Sequence, residues 1–211
     1  WTQYKNFENS RYLIQANQPE KDLLENPKKF GVYSDDVEIF NWVRAGAPIG
    51  KASMEAQIMD WSDDVAYSVH DLEDALVTGH IELSKLKADL SNLYRVAKAE
   101  YLSDITEEEA ELALTSLTSL SCWPKSFDRS HRQLALLKDL TSQLIGRFAV
   151  AAERETRARY GSGDLTRYSA DLIVPRMQRV EVAILKAMPG YYIILAEKLQ
   201  DLYTKQRTLL Q

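Results

Sequence analysis

Between only eight Gly and six Pro, the apolar residues of this chain recur every three or four positions and nowhere settle into strict alternation. A period near 3.6 suits helices, and a period of two suits half-buried strands. This regularity argues against sheet folds and predicts an all-α chain, a multi-helix bundle. The punctuation marks out the elements. Residues 18–31, QPEKDLLENPKKFG, are polar, broken by two prolines, and read as a loop. A helix is expected after Ser34 or Asp35 as N-cap, with Gly46 as its stop. Residues 47–53 form a linker, and a second helix runs to about Gly79. A third is expected over Ile81 to Tyr101, and Thr106 with Glu109 makes a capping box for a fourth. The longest pattern runs from about Phe127 to Tyr160, and residues 168–175 read as a short extended segment. Two last helices, split by Pro189-Gly190, finish the chain.

Length and composition bound the function classes. At 211 residues the chain can bury a substantial core, and 45% apolar with 27% charged residues is ordinary for a globular protein. A net charge of −5 provides no global basic field, so neither nucleic acid nor anionic lipid is expected as a partner. The basic group Arg154, Arg157, Arg159 and Arg167 is a local patch, suited to a nucleotide effector's phosphates or a neighbouring subunit. The lone Cys122 permits no internal disulfide and has no base at recognisable spacing, so it reads as a small core hydrophobe. There is no apolar run of membrane-spanning length and no signal-peptide pattern, so no membrane partner and a cytoplasmic location are expected. The opening WTQYKNF lacks an initiator Met, which suggests one piece of a longer chain.

The second helix is the unusual one. Residues 54–76 hold seven acidic residues and no Lys or Arg. On a helical wheel Ile58, Trp61, Val65, Val69, Leu72 and Leu76 fall on one face and predict core packing. Asp60, Asp63, Asp64, Tyr67, His70, Asp71 and Asp74 gather opposite, with Asp63, Tyr67 and Asp71 in one i, i+4, i+8 row. Like charges at that spacing repel. A metal cation, or basic residues from elsewhere in the fold, would restore the balance; a solvated acidic face is the other reading.

Residues 55–75, EAQIMDWSDDVAYSVHDLEDA, resemble the signature helix of the bacterial deoxynucleoside triphosphate triphosphohydrolases, dGTPase-like members of the HD metal-dependent phosphohydrolase superfamily. KKFGVY (28–33), LTSQLIGRF (140–148) and RYSADLIVP (167–175) resemble further stretches of that family, in the same order. The resemblance covers nearly the whole chain and points to the family's C-terminal half. It implies an HD-domain-like bundle in which residues 1–79 end the catalytic domain and residues 80–211 serve packing and oligomerisation. It also implies the splitting of a deoxynucleoside triphosphate (dNTP), dGTP-like, into deoxynucleoside and inorganic triphosphate by water attack on the α-phosphorus. The implied cofactor is a divalent metal, Mg²⁺ or Mn²⁺ foremost, with Fe²⁺ and others accepted by the same ligands.

Carried over residue by residue, the resemblance makes Asp63 a metal ligand, Tyr67 a sugar contact disfavouring a 2′-hydroxyl, and Asp71 the reader of the 3′-hydroxyl. Lys29 resembles a triphosphate contact. The family's remaining ligands, a His and an adjacent His-Asp pair, lie upstream of this chain. His70-Asp71 is not that pair, because it sits inside the later signature helix; His80 reads as a solvated or helix-end histidine after Gly79, and His131 shows no ligand spacing. The resemblance therefore implies three partners: the dNTP, the N-terminal half of the same protein, and further copies in a ring-like oligomer such as a hexamer. The chain alone is expected to be catalytically inactive. The competing expectation is a non-catalytic all-α assembly or regulatory module, with residues 127–160 and the last helix burying apolar stripes against partners.

Overall fold

The computed structural model describes residues 33–48 and 50–194, and every described element is helical. The chain divides into two compact units, Trp1–Ser53 and Met54–Gln211.

In the first unit a 3₁₀ turn, Ser34–Asp36, leads into α1, Val37–Arg44. The N-cap of α1 is Asp36, one residue beyond the expected Asp35, and it makes no side-chain capping bond. The helix stops as expected at Gly46, whose φ of +74° is a left-handed conformation that glycine adopts without strain. Arg44 Nη1 donates to the Lys51 carbonyl at 2.8 Å, tying the helix end to the segment after it.

The second unit holds α2 (Met54–Thr78), α3 (Leu90–Glu100), α4 (Glu107–Thr118), α5 (His131–Tyr160) and α6 (Arg176–Pro189). Helix α6 is the axis of this bundle. It packs against α2, α3 and α4, while α2 also packs against α5. Every residue from Val180 to Leu185 is buried, the charged Glu181 included, so this stretch of α6 is enclosed on all sides. Truncating Leu185 to Ala in such a core costs about 2–5 kcal/mol.

Several boundaries follow the expected chemistry. Thr106 Oγ1 accepts from the Glu109 amide at 3.1 Å while Glu109 Oε2 accepts from the Thr106 amide at 3.0 Å, completing the capping box of α4. Others differ, and the reasons are local. The helix expected over Ile81 to Tyr101 is instead a 3₁₀ turn, Leu83–Lys85, followed by α3. Gly79, at φ +78°, turns the chain, and Ile81 and Leu86 are drawn into the core at 6% and 1% exposure. Helix α5 begins at His131 rather than Phe127 because Arg129 sits at φ +62°, through which an α-helix cannot run. Ser130 Oγ then caps it, accepting from the Gln133 amide. Pro189-Gly190 does not break the chain: a π-helical turn, Gly190–Ile194, continues directly. Residues 168–175 are non-helical, as expected, and are held by side chains. Gln57 Nε2 donates to Asp171 Oδ1 at 3.0 Å, its Oε1 accepts from the Leu172 amide at 2.9 Å, and Thr156 Oγ1 accepts from the Ile173 amide at 2.9 Å.

One buried charge crosses the bundle. Glu181 of α6 is fully buried; its Oε1 accepts from Arg147 Nη2 and Ser116 Oγ, both at 2.7 Å, and its Oε2 from Arg147 Nε at 2.9 Å. This fork-to-fork pairing joins α4, α5 and α6 and satisfies the carboxylate in a low-dielectric site. The same hydrogen bonds hold the Arg147 guanidinium above its ordinary pKa.

Candidate functional site

Helix α2 is fixed at both ends by the fold. The Met54 amide donates to the Arg167 carbonyl at 2.6 Å, and Glu55 Oε1 in the first turn accepts from the Arg167 amide at 3.0 Å, a carboxylate placed favourably for the helix dipole. At the other end Arg129 Nη2 donates to the Thr78 carbonyl at 2.9 Å. That guanidinium lies so close over Gly79 that a Cβ there would meet Nη2 at 2.7 Å.

The wheel sorts α2 largely as expected. Val65, Val69, Leu72 and Leu76 are buried, and Trp61 stands edge-on to Phe148 at 6.3 Å between ring centroids. Ile58 is the exception: expected in the core, it is 45% exposed. It lines an apolar groove of about 320 Å³ between α2 and α5 with Met54, Trp61, Val65, Ile145 and Leu172. Glu73 is the opposite surprise, a buried carboxylate. It stands four residues after Val69 and three before Leu76, at the edge of the core face, although the sequence reading did not place it there.

Asp60, Asp63, Asp64, Tyr67, His70, Asp71 and Asp74 are all exposed. Their charges are not treated alike. Asp64 pairs with Lys186 of α6. Glu73 pairs with Lys138 of α5 and accepts from Thr141 Oγ1 at 2.8 Å. Burial pushes the Glu73 carboxyl up, but the hydrogen bonds from Lys138 and Thr141 outweigh it and hold the group below its ordinary range. Past the end of α2, Glu82 pairs with Lys85 at 2.7 Å. By contrast, Asp63, Tyr67 and Asp71 make no hydrogen bond or ion pair with any described residue. The counter-charges for the acidic helix thus come from α5 and α6 and reach Asp64 and Glu73, while Asp60 and Asp74 are without an ion pair to a described residue, as Asp63 and Asp71 are.

A second groove, of about 370 Å³, runs between α2 and α6, where Asp60 and Asp64 face Arg179, Lys186 and Tyr101. Lys186 Nζ lies 5.6 Å from the centre of the Tyr101 ring. Burial raises the Tyr101 hydroxyl pKa, and the nearby charges of Glu100 and Asp71 add to this. Lys186, Arg179 and Tyr101 were not singled out from the sequence. They are far from α2 along the chain and carry no spacing signal; only packing brings them to it.

Among the described residues, no three His, Cys, Asp or Glu side chains gather as a metal site. His70 is exposed on α2, His80 Nδ1 lies 2.6 Å from Thr78 Oγ1, and His131 opens α5. Lys29 lies outside the described residues. Cys122 packs partly buried against the core, and burial raises its thiol pKa. In the arginine-rich stretch, Arg157 Nη1 donates to the Gly163 carbonyl at 2.6 Å, closing the loop after α5. No described helix is long and apolar enough to cross a membrane.

Comparison with known proteins decides the family. Over 182 residues the chain is 47% identical to the deoxyguanosinetriphosphate triphosphohydrolase-like protein of Streptomyces coelicolor, a match covering 85% of this chain and 43% of that protein. The chain belongs to the deoxyguanosinetriphosphate triphosphohydrolase-like family. Family members so named in Bifidobacterium longum and Corynebacterium glutamicum are 40% and 35% identical, over 81% and 79% of this chain and 36% and 40% of their own lengths. The chain therefore spans about two fifths of the length of the triphosphohydrolase-like relatives it matches. No family model matches the chain, and no solved structure does.

Proposed function

We propose that this chain carries the substrate-facing helix of a metal-dependent dNTP triphosphohydrolase, which converts a deoxynucleoside triphosphate, dGTP-like, and water into the deoxynucleoside and inorganic triphosphate. One observation carries this reading: on α2 lysines meet Asp64 and Glu73, while Asp63 and Asp71, like Asp60 and Asp74, have no cationic partner among the described residues. An exposed carboxylate without a partner is a hard oxygen donor suited to a divalent cation. Asp63 fits that role as one ligand. A secure centre takes about three or more protein ligands, so the others come from residues beyond this chain, and the chain alone is inactive.

When bound, the cation supplies charge neutralisation at the phosphates and activates the attacking water. The bond formed joins the water oxygen to the α-phosphorus, and the bond broken joins that phosphorus to the 5′ oxygen, which leaves with a proton as the free 5′-hydroxyl. Tyr67, one turn beyond Asp63, lays its exposed ring against the deoxyribose and leaves no room for a 2′-hydroxyl. Asp71 lies two turns from Asp63, about 12 Å along the axis, and accepts a hydrogen bond from the 3′-hydroxyl. Lys29 meets the triphosphate as a point positive charge. Exposed Leu134, Leu136, Ile145 and Val150 on α5 suit burial against another copy in a homo-oligomer.

The test is product identity. The complete protein, incubated with Mn²⁺ or Mg²⁺ and each dNTP in turn, should release free triphosphate. Pyrophosphate or orthophosphate as the only phosphorus product would overturn the reaction.

A further inference from the structure

Helix α2 carries two unlike faces side by side. Next to the acidic row lies the apolar groove of about 320 Å³ that α2 forms with α5. Ala66 and Ser62 line it, and on the wheel they stand about 60° and 100° from Asp63, on the same side. Whatever fills the groove therefore runs alongside the row.

The groove is open as a packing surface. Ile58, one of its lining residues, is 45% exposed, although the wheel puts it with the core. Apolar surface left exposed in a groove marks a place of contact. Trp61 lines both this groove and the one toward α6, and its indole N–H is buried with no acceptor among the described residues. Buried donors in a closed interior are nearly always paired, so this wall lacks a neighbour.

The lining narrows what that neighbour is. Ser62 and Ala66 on α2 and Ala149 and Ala152 on α5 are small, and small residues let another segment approach closely. A small-molecule site holds its ligand with a few precisely placed polar groups. Here Arg157 is committed to the carbonyls of Gly161 and Gly163, which leaves Glu153 as the one charged lining residue without an ion pair to a described residue. An apolar surface with one free carboxylate suits an apolar segment bearing a basic residue. The triphosphohydrolase-like relatives are more than twice as long as their match to this chain, so there is polypeptide enough to supply it.

We propose that the groove between α2 and α5 seats an apolar segment from the part of the same polypeptide outside this chain, with a basic residue of that segment against Glu153. Docked there, the segment holds the rest of the polypeptide beside Asp63, where the proposed metal centre needs further ligands. Only that consequence rests on Asp63 being a metal ligand; the seat itself rests on the groove.

The experiment uses the complete protein carrying Ile58→p-benzoylphenylalanine, irradiated, digested and read by mass spectrometry. The expected product is a crosslink at monomer mass to a peptide outside residues 1–211. Glu153→Lys should lower its yield about threefold, whereas Glu155→Lys, outside the groove, should leave it unchanged. In Ile58→Cys, where no bulky probe can displace the segment, position 58 should resist maleimide until the protein is unfolded. A crosslink between two copies, or one confined to residues 1–211, overturns the proposal. So does ready labelling at position 58 in the folded protein, or a yield that Glu153→Lys does not change. Asp63→Asn reports separately on the metal reading. If it leaves Mn²⁺ binding by the complete protein untouched, Asp63 is not a ligand, and the crosslink keeps its meaning.

Discussion

Two sets of carboxylates in this molecule live under opposite rules. In the interior, Glu181 is fully buried and satisfied by three donors from Arg147 and Ser116, and Glu73 is met by Lys138 and Thr141. On the outer face of α2, Asp63 and Asp71 have no partner among the described residues. The difference is one of solvation cost. Burying a charge without a partner costs several kcal/mol, so the core carboxylates must be paired for the bundle to exist. An exposed carboxylate faces no such requirement, and leaving it unpaired keeps its charge available to something that arrives from outside.

The contrast breaks first, and most visibly, at Asp63. Asp63→Asn in the complete protein should abolish triphosphate release, by about three orders of magnitude or more. Because the side chain faces away from the core, the unfolding midpoint should barely move. Retained turnover, measured as free triphosphate, would place Asp63 with the merely solvated charges. Arg147→Met should do the reverse. It leaves Glu181 buried without its cation and should cost about 2–3 kcal/mol in urea unfolding, reduced from the fully buried case because Arg147 is a third exposed. Mn²⁺ binding by the surviving folded protein should be unchanged.

Tyr67→Ala sharpens the reading of the row itself. Discrimination against ribonucleoside triphosphates should fall by about tenfold, a typical value for one lost contact in a pocket, with metal binding unaltered. Equal loss of kcat/KM toward deoxy- and ribonucleotides would remove Tyr67 from the sugar.

The smallest effect concerns a third kind of carboxylate, paired and half-buried. Hydrogen bonds from Arg176, and then from the Thr106 amide, hold Glu109 down at about 2 against an ordinary value of 4.5. A depressed carboxyl stabilises the fold above the ordinary value and loses that contribution as pH falls. Arg176→Gln should therefore be modestly less stable than wild type at neutral pH, and the gap should close between pH 4.5 and about 2. A gap that persists unchanged at pH 2, read by thermal unfolding, would mean that Arg176 acts through packing instead.

Much of this was legible in the sequence because much of it is local. Helical period, the Thr106–Glu109 capping box, the Gly46 stop and the two faces of α2 all depend on residues within a few positions of one another. The burial of Glu73 was not read from the sequence, although its spacing from Val69 and Leu76 sets it at the edge of the core face. Ile58 misled, because a wheel says which side a residue faces but not how far along the helix the neighbouring element reaches. The break before α3 and the late start of α5 depend on left-handed backbone at Gly79 and Arg129, and an arginine carries no advance sign of such a conformation.

The seven acids without a base were countable from residue letters alone; which of them find a partner in the fold was not. That was decided when α5 and α6 brought Lys138 and Lys186 to Glu73 and Asp64 from far along the chain. Periodicity and caps act over a turn or two of helix, so a single segment determines them. Charge pairing depends on which surfaces meet, and only the folded bundle chooses that.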